Sequence, residues 1–232
     1  MPSPRRHFLT QLGAASLAGI ASPTHLHALT APAPSPRYGQ PDQHPLPISE
    51  TWDMSWTARV NGKYRAVFDS PEIGEGGALV RAVAWCDMYK EVYGSDRSEM
   101  SPVVVIRHAA IDLIMTDAYW AAYDVGKENK LRNEQGKKWA THNPLSAESK
   151  PNEEKARKYT LQSFLASGGI VLGCGWAFRF AASRIARREK IEAAEARKKA
   201  LALMIPGVIL QPNGIFACLR AQEAGCHYVL AS

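Results

Sequence analysis

Cys174 is the residue best placed for chemistry, because it stands between two glycines in the segment GGIVLGCGWAFRFAASR, residues 168–184. A short apolar run typical of a buried strand precedes it, and a helical pattern follows. Gly173 and Gly175 would permit a tight turn and leave the sulfur approachable, and the first free N–H groups of the helix would stabilise a thiolate. We therefore predict a nucleophilic thiol. The alternative is a small buried side chain that fills space.

His108 is a candidate partner for this thiol. It ends the second predicted strand, within the segment VVVIRHAA, residues 103–110. Since the carboxyl ends of parallel strands meet at one edge of a sheet, His108 could exchange a proton with Cys174, as imidazole and thiol do in nucleophilic sites. The alternative is a histidine that binds nearby backbone groups.

The helix that follows Cys174 is rich in arginine. Arg179, about one turn along it, could attract an anionic substrate, and we predict that Gly173 and Gly175 form the backbone which this substrate contacts. A simpler interpretation assigns Arg179 and the arginines at 184, 187 and 188 to a solvated helix face with ion pairs between successive turns.

The remaining cysteines carry weaker signals. Cys86 lies on an apolar helical stripe and is predicted to be a core residue. Cys218 and Cys226 could bridge to Cys174, but no CxxC motif supports a redox pair, and the four cysteines allow three pairings. The neighbouring Cys226 and His227 would point to opposite faces of a strand, so we predict no zinc or other metal site.

No cofactor is predicted either. The segment FDSPEIGEGGALVRA, residues 68–82, has Gly74-x-Gly76 without a third glycine, and acidic residues such as Asp69 and Glu72 would repel a pyrophosphate. We interpret it as a flexible acidic turn. The chain also lacks GxSxG, HExxH and Walker sequences.

Five short apolar runs, rich in valine and isoleucine, predict the strands that position these residues. They lie at 64–68, 102–107, 169–173, 207–211 and 226–230. Helical patterns between them cover 77–94, a segment around 111–122, and roughly 155–166, 176–203 and 214–224, with Asn213 and Gly225 as possible ends of the last. Alternating strands and helices indicate a three-layer α/β/α sandwich with a mainly parallel five-stranded sheet. The strand order stays open.

The first fifty residues are predicted to lie outside this domain. Residues 1–30 contain Arg5-Arg6 before Phe8-Leu9 and a weakly apolar stretch, which is typical of a twin-arginine signal peptide. Residues 31–50 form a proline-rich linker. The domain, 51–232, carries a polar loop insert at 125–155, of which Trp139 and the NPL turn are expected to pack back. We therefore expect a periplasmic protein, recognised by the twin-arginine translocase, with its signal cleaved and no stable membrane anchor.

Charge argues against a nucleic-acid partner. The formal net charge is +6, but lysines and arginines alternate with acidic residues. A surface that binds nucleic acid would instead show clustered cations with stacking aromatic rings.

The order of five segments resembles that of the DsrE/DsrF-like family of small α/β proteins. These segments are VVVIRHAA, DAYWAAYDVG, GGIVLGCGWAF, IPGVILQPNGIFAC and AQEAGCHYVL. The resemblance covers roughly residues 64–230, apart from the 125–155 insert. It implies a homo-oligomer, often a trimer. It also implies that a cysteine after a central strand relays sulfur as a persulfide, and Cys174 matches that position.

Two functions remain open at this point. The first is an exported DsrE-like protein that binds or relays sulfur, or acts in thiol redox chemistry, through Cys174, with a sulfur donor or acceptor protein as partner. The second is a noncatalytic subunit for assembly or small-ligand binding, whose crevice the 125–155 segment covers. Whether the protein is an enzyme is left undecided.

Overall fold

A computed structural model describes residues 52–133, 136–147 and 154–232, which lie within one compact unit, Ser49–Ser232. The predicted signal peptide and linker, residues 1–50, lie outside the described residues.

The predicted α/β class is confirmed by a sheet of five strands, all parallel to their neighbours, in the order β4-β3-β2-β1-β5. The strands are β1 Tyr64–Ser70, β2 Met100–Ile106, β3 Ile170–Cys174, β4 Ile209–Gln211 and β5 His227–Leu230. All residues of β2 and β3 are buried, as strands covered on both faces require.

Helices connect these strands. In the described ranges they are α1 Gly77–Tyr93, α2 Asp117–Ala122, α3 Val125–Glu128, α4 Glu154–Arg157, α5 Leu161–Ala166, α6 Gly175–Glu189, α7 Ala193–Ala202 and α8 Gly214–Glu223. Shorter 3₁₀ helices span Ser55–Arg59, Gly74–Gly76, Arg97–Glu99 and His108–Ile114. The predicted ends of α8 are confirmed: the Asn213 side chain accepts a hydrogen bond from the Phe216 N–H at 2.8 Å, and Gly225 has a φ of +93°.

Two apolar clusters lie on opposite faces of the sheet and make the structure three-layered. On one face, α1, α5, α6 and α7 pack against residues such as Phe68 and Ile106. On the other, α8 and Trp56 pack against residues such as Val105 and Leu172. The helices that follow β3 and β4 therefore leave the sheet toward opposite faces.

Three helical predictions are wrong in detail. The helix predicted over 155–166 is divided into α4 and α5, because Thr160 takes an extended conformation as the N-cap of α5. A continuous helix over 176–203 is interrupted after Glu189, because Lys190 adopts a left-handed conformation with φ of +57°. The segment around 111–122 is not one amphipathic helix. Met115 takes an extended conformation and forms a β-bridge with Met204, which separates a 3₁₀ helix from α2.

Part of the 125–155 insert packs back on the domain, as predicted for its NPL turn. Asn143 is fully buried and donates hydrogen bonds to the carbonyl oxygens of Leu113 and Met115 at 2.7 and 2.6 Å. Leu145 is also buried in the core. Trp139 forms a β-bridge with Arg132 and stacks on its guanidinium at 3.6 Å; these contacts lie within the insert, so they do not confirm that Trp139 packs on the rest of the domain.

Candidate functional site

Cys174 occupies the predicted strand-to-helix turn. It is the last residue of β3 and the N-cap of α6, and its sulfur accepts a hydrogen bond from the Ala177 N–H at 3.4 Å. Its partner in the sheet register is Gln211, the last residue of β4. Because the chains leave β3 and β4 toward opposite faces, Cys174 lies at the switch point where open α/β sheets commonly hold ligands.

The sulfur is less accessible than the sequence suggested, since Cys174 is only 6% exposed. Close packing around both neighbouring glycines accounts for this. A Cβ atom at Gly175 would lie 2.7 Å from the Gln211 carbonyl oxygen and 3.0 Å from the Trp52 ring, and one at Gly173 would lie 2.9 Å from side chains of the core. The expectation of an approachable sulfur is therefore wrong for this conformation. Substrate contacts at Gly173 and Gly175 stay a prediction.

His108 lies at the same edge but faces solvent. Its φ of +51° turns the chain immediately after β2, its side chain is 71% exposed, and its Nδ1 atom is 3.9 Å from the Glu72 carboxylate. The described residues include no hydrogen bond between His108 and Cys174. Arg179 is likewise exposed, on the outer surface of α6. Their proposed roles beside Cys174 stay predictions.

An ion pair between a buried carboxylate and a partly exposed guanidinium occupies this edge. Asp69 is the penultimate residue of β1. Its side chain is only 2% exposed, and it accepts two hydrogen bonds from the Arg107 guanidinium, at 2.7 and 2.9 Å. The Tyr228 hydroxyl on β5 donates a third, at 2.6 Å. The Arg107 side chain lies directly against Gly214, where a Cβ atom would be 2.5 Å away. The pair therefore joins three strands to the start of α8.

The Asp69 carboxylate affects the pKa values of the ionisable groups around it. Burial, together with the Asp69 charge and a weaker coupling to Cys174, raises the pKa of the Cys218 thiol to about 12. The hydrogen bond to Asp69 raises the pKa of Tyr228 to about 12. Hydrogen bonding to Asp69 also raises the pKa of Arg107 above its usual range. Cys218 is thus a neutral thiol at physiological pH.

Gln211 has an unusual environment beside Cys174. Its side chain is fully buried, and its Nε2 atom donates to the carbonyl oxygens of Asp53 and Leu210, at 2.9 and 3.0 Å. Its Oε1 atom is also buried but accepts no hydrogen bond. An acceptor of this kind is costly to bury.

The other cysteines lie elsewhere. Burial raises the pKa of the Cys226 thiol to about 11. Cys86 is half-buried in the wall of a cavity, so its assignment to the core is wrong, because this part of α1 is only partly covered by neighbouring elements. All four cysteines are free thiols.

Sequence analysis missed Asp69, Arg107, Tyr228 and Gln211. The interpretation of residues 68–82 as an acidic turn is wrong for Asp69, which belongs to β1. The sequence did contain a signal for this ion pair, because Asp69 and Arg107 each directly follow an apolar run that predicts a strand. The assumed solvated arginine face is also wrong at Arg184, which is largely buried and 2.7 Å from Asp112.

No protein-family model and no curated protein matches the chain. Within the described ranges, no three His, Cys, Asp or Glu side chains are grouped so that they could hold a metal ion. None of the helices described above has both the length and the apolar character needed to cross a membrane.

Proposed function

We propose that this protein is an exported, DsrE-like sulfur carrier that holds a sulfur atom as a persulfide on Cys174. The observation that carries the proposal is the position of the thiol. Cys174 caps the fifteen-residue helix α6, at the point where the chain segments after the paired strands β3 and β4 leave toward opposite faces of the sheet. A helix N-terminus stabilises a negatively charged sulfur, the form that attacks other sulfur atoms. The resemblance of the surrounding segments to the DsrE/DsrF-like family supports the same role.

The sulfur transfer conserves electrons overall. The Cys174 thiolate attacks the terminal sulfur of a donor persulfide, the donor S–S bond breaks, and the donor leaves as a thiolate while Cys174 becomes a persulfide. With thiosulfate as donor, sulfite is the leaving group. The unpartnered Gln211 Oε1 atom supplies an acceptor for a terminal S–H group, and His108 and Arg179 are proposed to assist proton exchange and anion attraction.

Burial of Cys174 sets a requirement for this reaction. Since Cys174 is 6% exposed, a donor larger than a few atoms can reach the sulfur only if the packing around it, which includes Trp52 against Gly175, moves aside. A sulfur donor or acceptor protein would therefore have to open this edge when it binds.

Intact-mass measurement tests the proposal directly. The purified protein is incubated with thiosulfate or polysulfide, and the mass of one added sulfur atom is expected in wild type and in Cys218→Ala. Cys174→Ala should not acquire it, and a reducing agent should remove it. Equal labelling of wild type and Cys174→Ala would exclude the proposal.

A second candidate is a noncatalytic subunit for small-ligand binding or assembly. It is favoured by the low exposure of Cys174 and by the outward position of His108. On this view, Cys174→Ala leaves oligomeric state and ligand binding unchanged. Alkylation rates measured against pH separate the two, since a carrier requires a thiol that reacts near neutral pH.

Export through the twin-arginine translocase to the periplasm, followed by signal cleavage, belongs to the same proposal, as does a homo-oligomeric state. Replacing both Arg5 and Arg6 with lysine should leave the precursor in the cytoplasm, as shown by cell fractionation. Normal export of that variant would contradict the assignment.

A further inference from the structure

A cavity of about 290 Å³ lies at the opposite edge of the sheet from Cys174. The carboxyl-terminal half of α1 forms one wall, and α5 forms another. The loop before β2 closes one side. The residues that line it are Val83, Cys86, Asp87, Lys90, Ser95, Arg97, Lys158, Ser163, Phe164 and Ser167. Its volume is near the lower limit of pockets that bind small organic molecules.

The charges that line this cavity are mostly positive. Lys158 is already neutralised, because its Nζ atom is 2.8 Å from the Asp87 carboxylate. Lys90 and Arg97 have no acidic partner in the described part of the chain. Lys90 lies in the last turn of α1, where a cation favours helix stability. That role does not account for Arg97.

Arg97 is half-buried and only partly hydrogen-bonded. Its Nη1 atom donates to the Met100 carbonyl oxygen at 3.0 Å, whereas its Nη2 atom is buried without a partner. Burial accordingly lowers the pKa of this guanidinium. Because the Nη2 atom is buried, the rest of the Arg97 side chain is the part that lines the cavity, and a cationic donor there favours an anion.

Apolar side chains form the rest of the wall. Phe164, which is 2% exposed, belongs to the main core cluster, and the partly buried Val83 packs against that cluster; both line the cavity. An inorganic ion would leave this surface uncovered. A ligand with both an acidic group and a small apolar body would use the whole cavity.

We propose that this cavity binds a small organic anion, whose acidic group contacts Arg97 and Lys90 and whose apolar part packs on Val83 and Phe164. The site is separate from Cys174 and does not depend on the proposed sulfur chemistry.

Titration calorimetry of the full chain at constant ionic strength tests the proposal, with phenyl phosphate as the probe and inorganic phosphate as the comparison. Phenyl phosphate should bind saturably, and about tenfold more tightly than inorganic phosphate, a ratio that corresponds to about 1.4 kcal/mol. Arg97→Gln should weaken phenyl phosphate at least about tenfold. Lys90→Gln, on an exposed side chain that should not affect folding, should weaken it as well.

Arg220→Gln is the matched control, since Arg220 is an exposed arginine on α8 that pairs with Glu223. It should bind phenyl phosphate like wild type, as should Cys174→Ala. The proposal is overturned by absence of saturable binding, by equal affinity for the two phosphates, or by unchanged affinity in Lys90→Gln and in folded Arg97→Gln.

Discussion

The buried pair between Asp69 and Arg107 gives the most direct test of how the carboxyl edge is held together. Arg107→Leu removes both guanidinium hydrogen bonds from a carboxylate that is 2% exposed. Removing one partner of a buried pair typically costs about 3–5 kcal/mol. The Tyr228 hydroxyl still donates to Asp69, so we expect a loss near the lower limit, about 3 kcal/mol of unfolding free energy.

The two partners should respond unequally. Asp69→Asn leaves an uncompensated cation, but Arg107 is 28% exposed and can be hydrated, so its cost should be smaller, about 1–2 kcal/mol. The double variant should recover part of the loss of Arg107→Leu, because no buried charge is then left unpaired. An exposed pair serves as control: Arg220→Leu should cost less than about 0.5 kcal/mol.

Urea unfolding followed by circular dichroism measures all four variants. If Arg107→Leu unfolds within about 0.5 kcal/mol of wild type, the pair does not stabilise this edge. A loss in the double variant equal to the sum of the two single losses would show that the side chains act independently.

Three further predictions concern titration and packing. The phenol of Tyr228 should ionise near pH 12 and not at its ordinary pKa of 10.0, as followed by ultraviolet absorbance. In Asp69→Asn the pKa of Tyr228 should fall toward that ordinary value. An unchanged titration midpoint in this variant contradicts the assigned hydrogen bond. The pKa of Cys218 is raised from 9.0 to about 12, so its alkylation near neutral pH should be roughly a thousandfold slower in the folded protein than in the urea-unfolded chain. Alkylation of Cys226 should also be slow. Rates like those of the unfolded chain would refute this. Asn143→Ala leaves two buried carbonyl oxygens without donors and should cost about 3 kcal/mol in the same urea assay, whereas a loss below about 1 kcal/mol would show that water replaces the side chain.

The fold class follows from the sequence for a clear reason. Strands covered on both faces consist of valine and isoleucine without polar alternation, and such runs are visible as in β2 and β3. Their spatial order is not visible, because an apolar run carries no information about its neighbour. The break after Glu189 was also missed, since lysine at position 190 gives no local signal for a left-handed conformation.

The site was only partly predictable for a related reason. Flanking glycines correctly located Cys174 at a tight strand-to-helix turn. They also permitted close packing by Trp52, a long-range contact that no local pattern reveals. For His108, the outward direction results from one backbone angle at the end of β2. Asp69 and Arg107 become partners only because β1 and β2 are adjacent in the sheet.

The position of β1 between β2 and β5 has a consequence for synthesis on the ribosome. Residue Ala66 on β1 is paired in register with Pro102 on β2 and with His227 on β5, so β2 is translated soon after β1, whereas β5 is translated only after β2, β3 and β4. Until β5 has been synthesised, one edge of β1 has no strand beside it, and the nascent chain exposes unpaired backbone groups there. During that interval we expect the edge of β1 to be the part of the sheet most open to pairing with another chain.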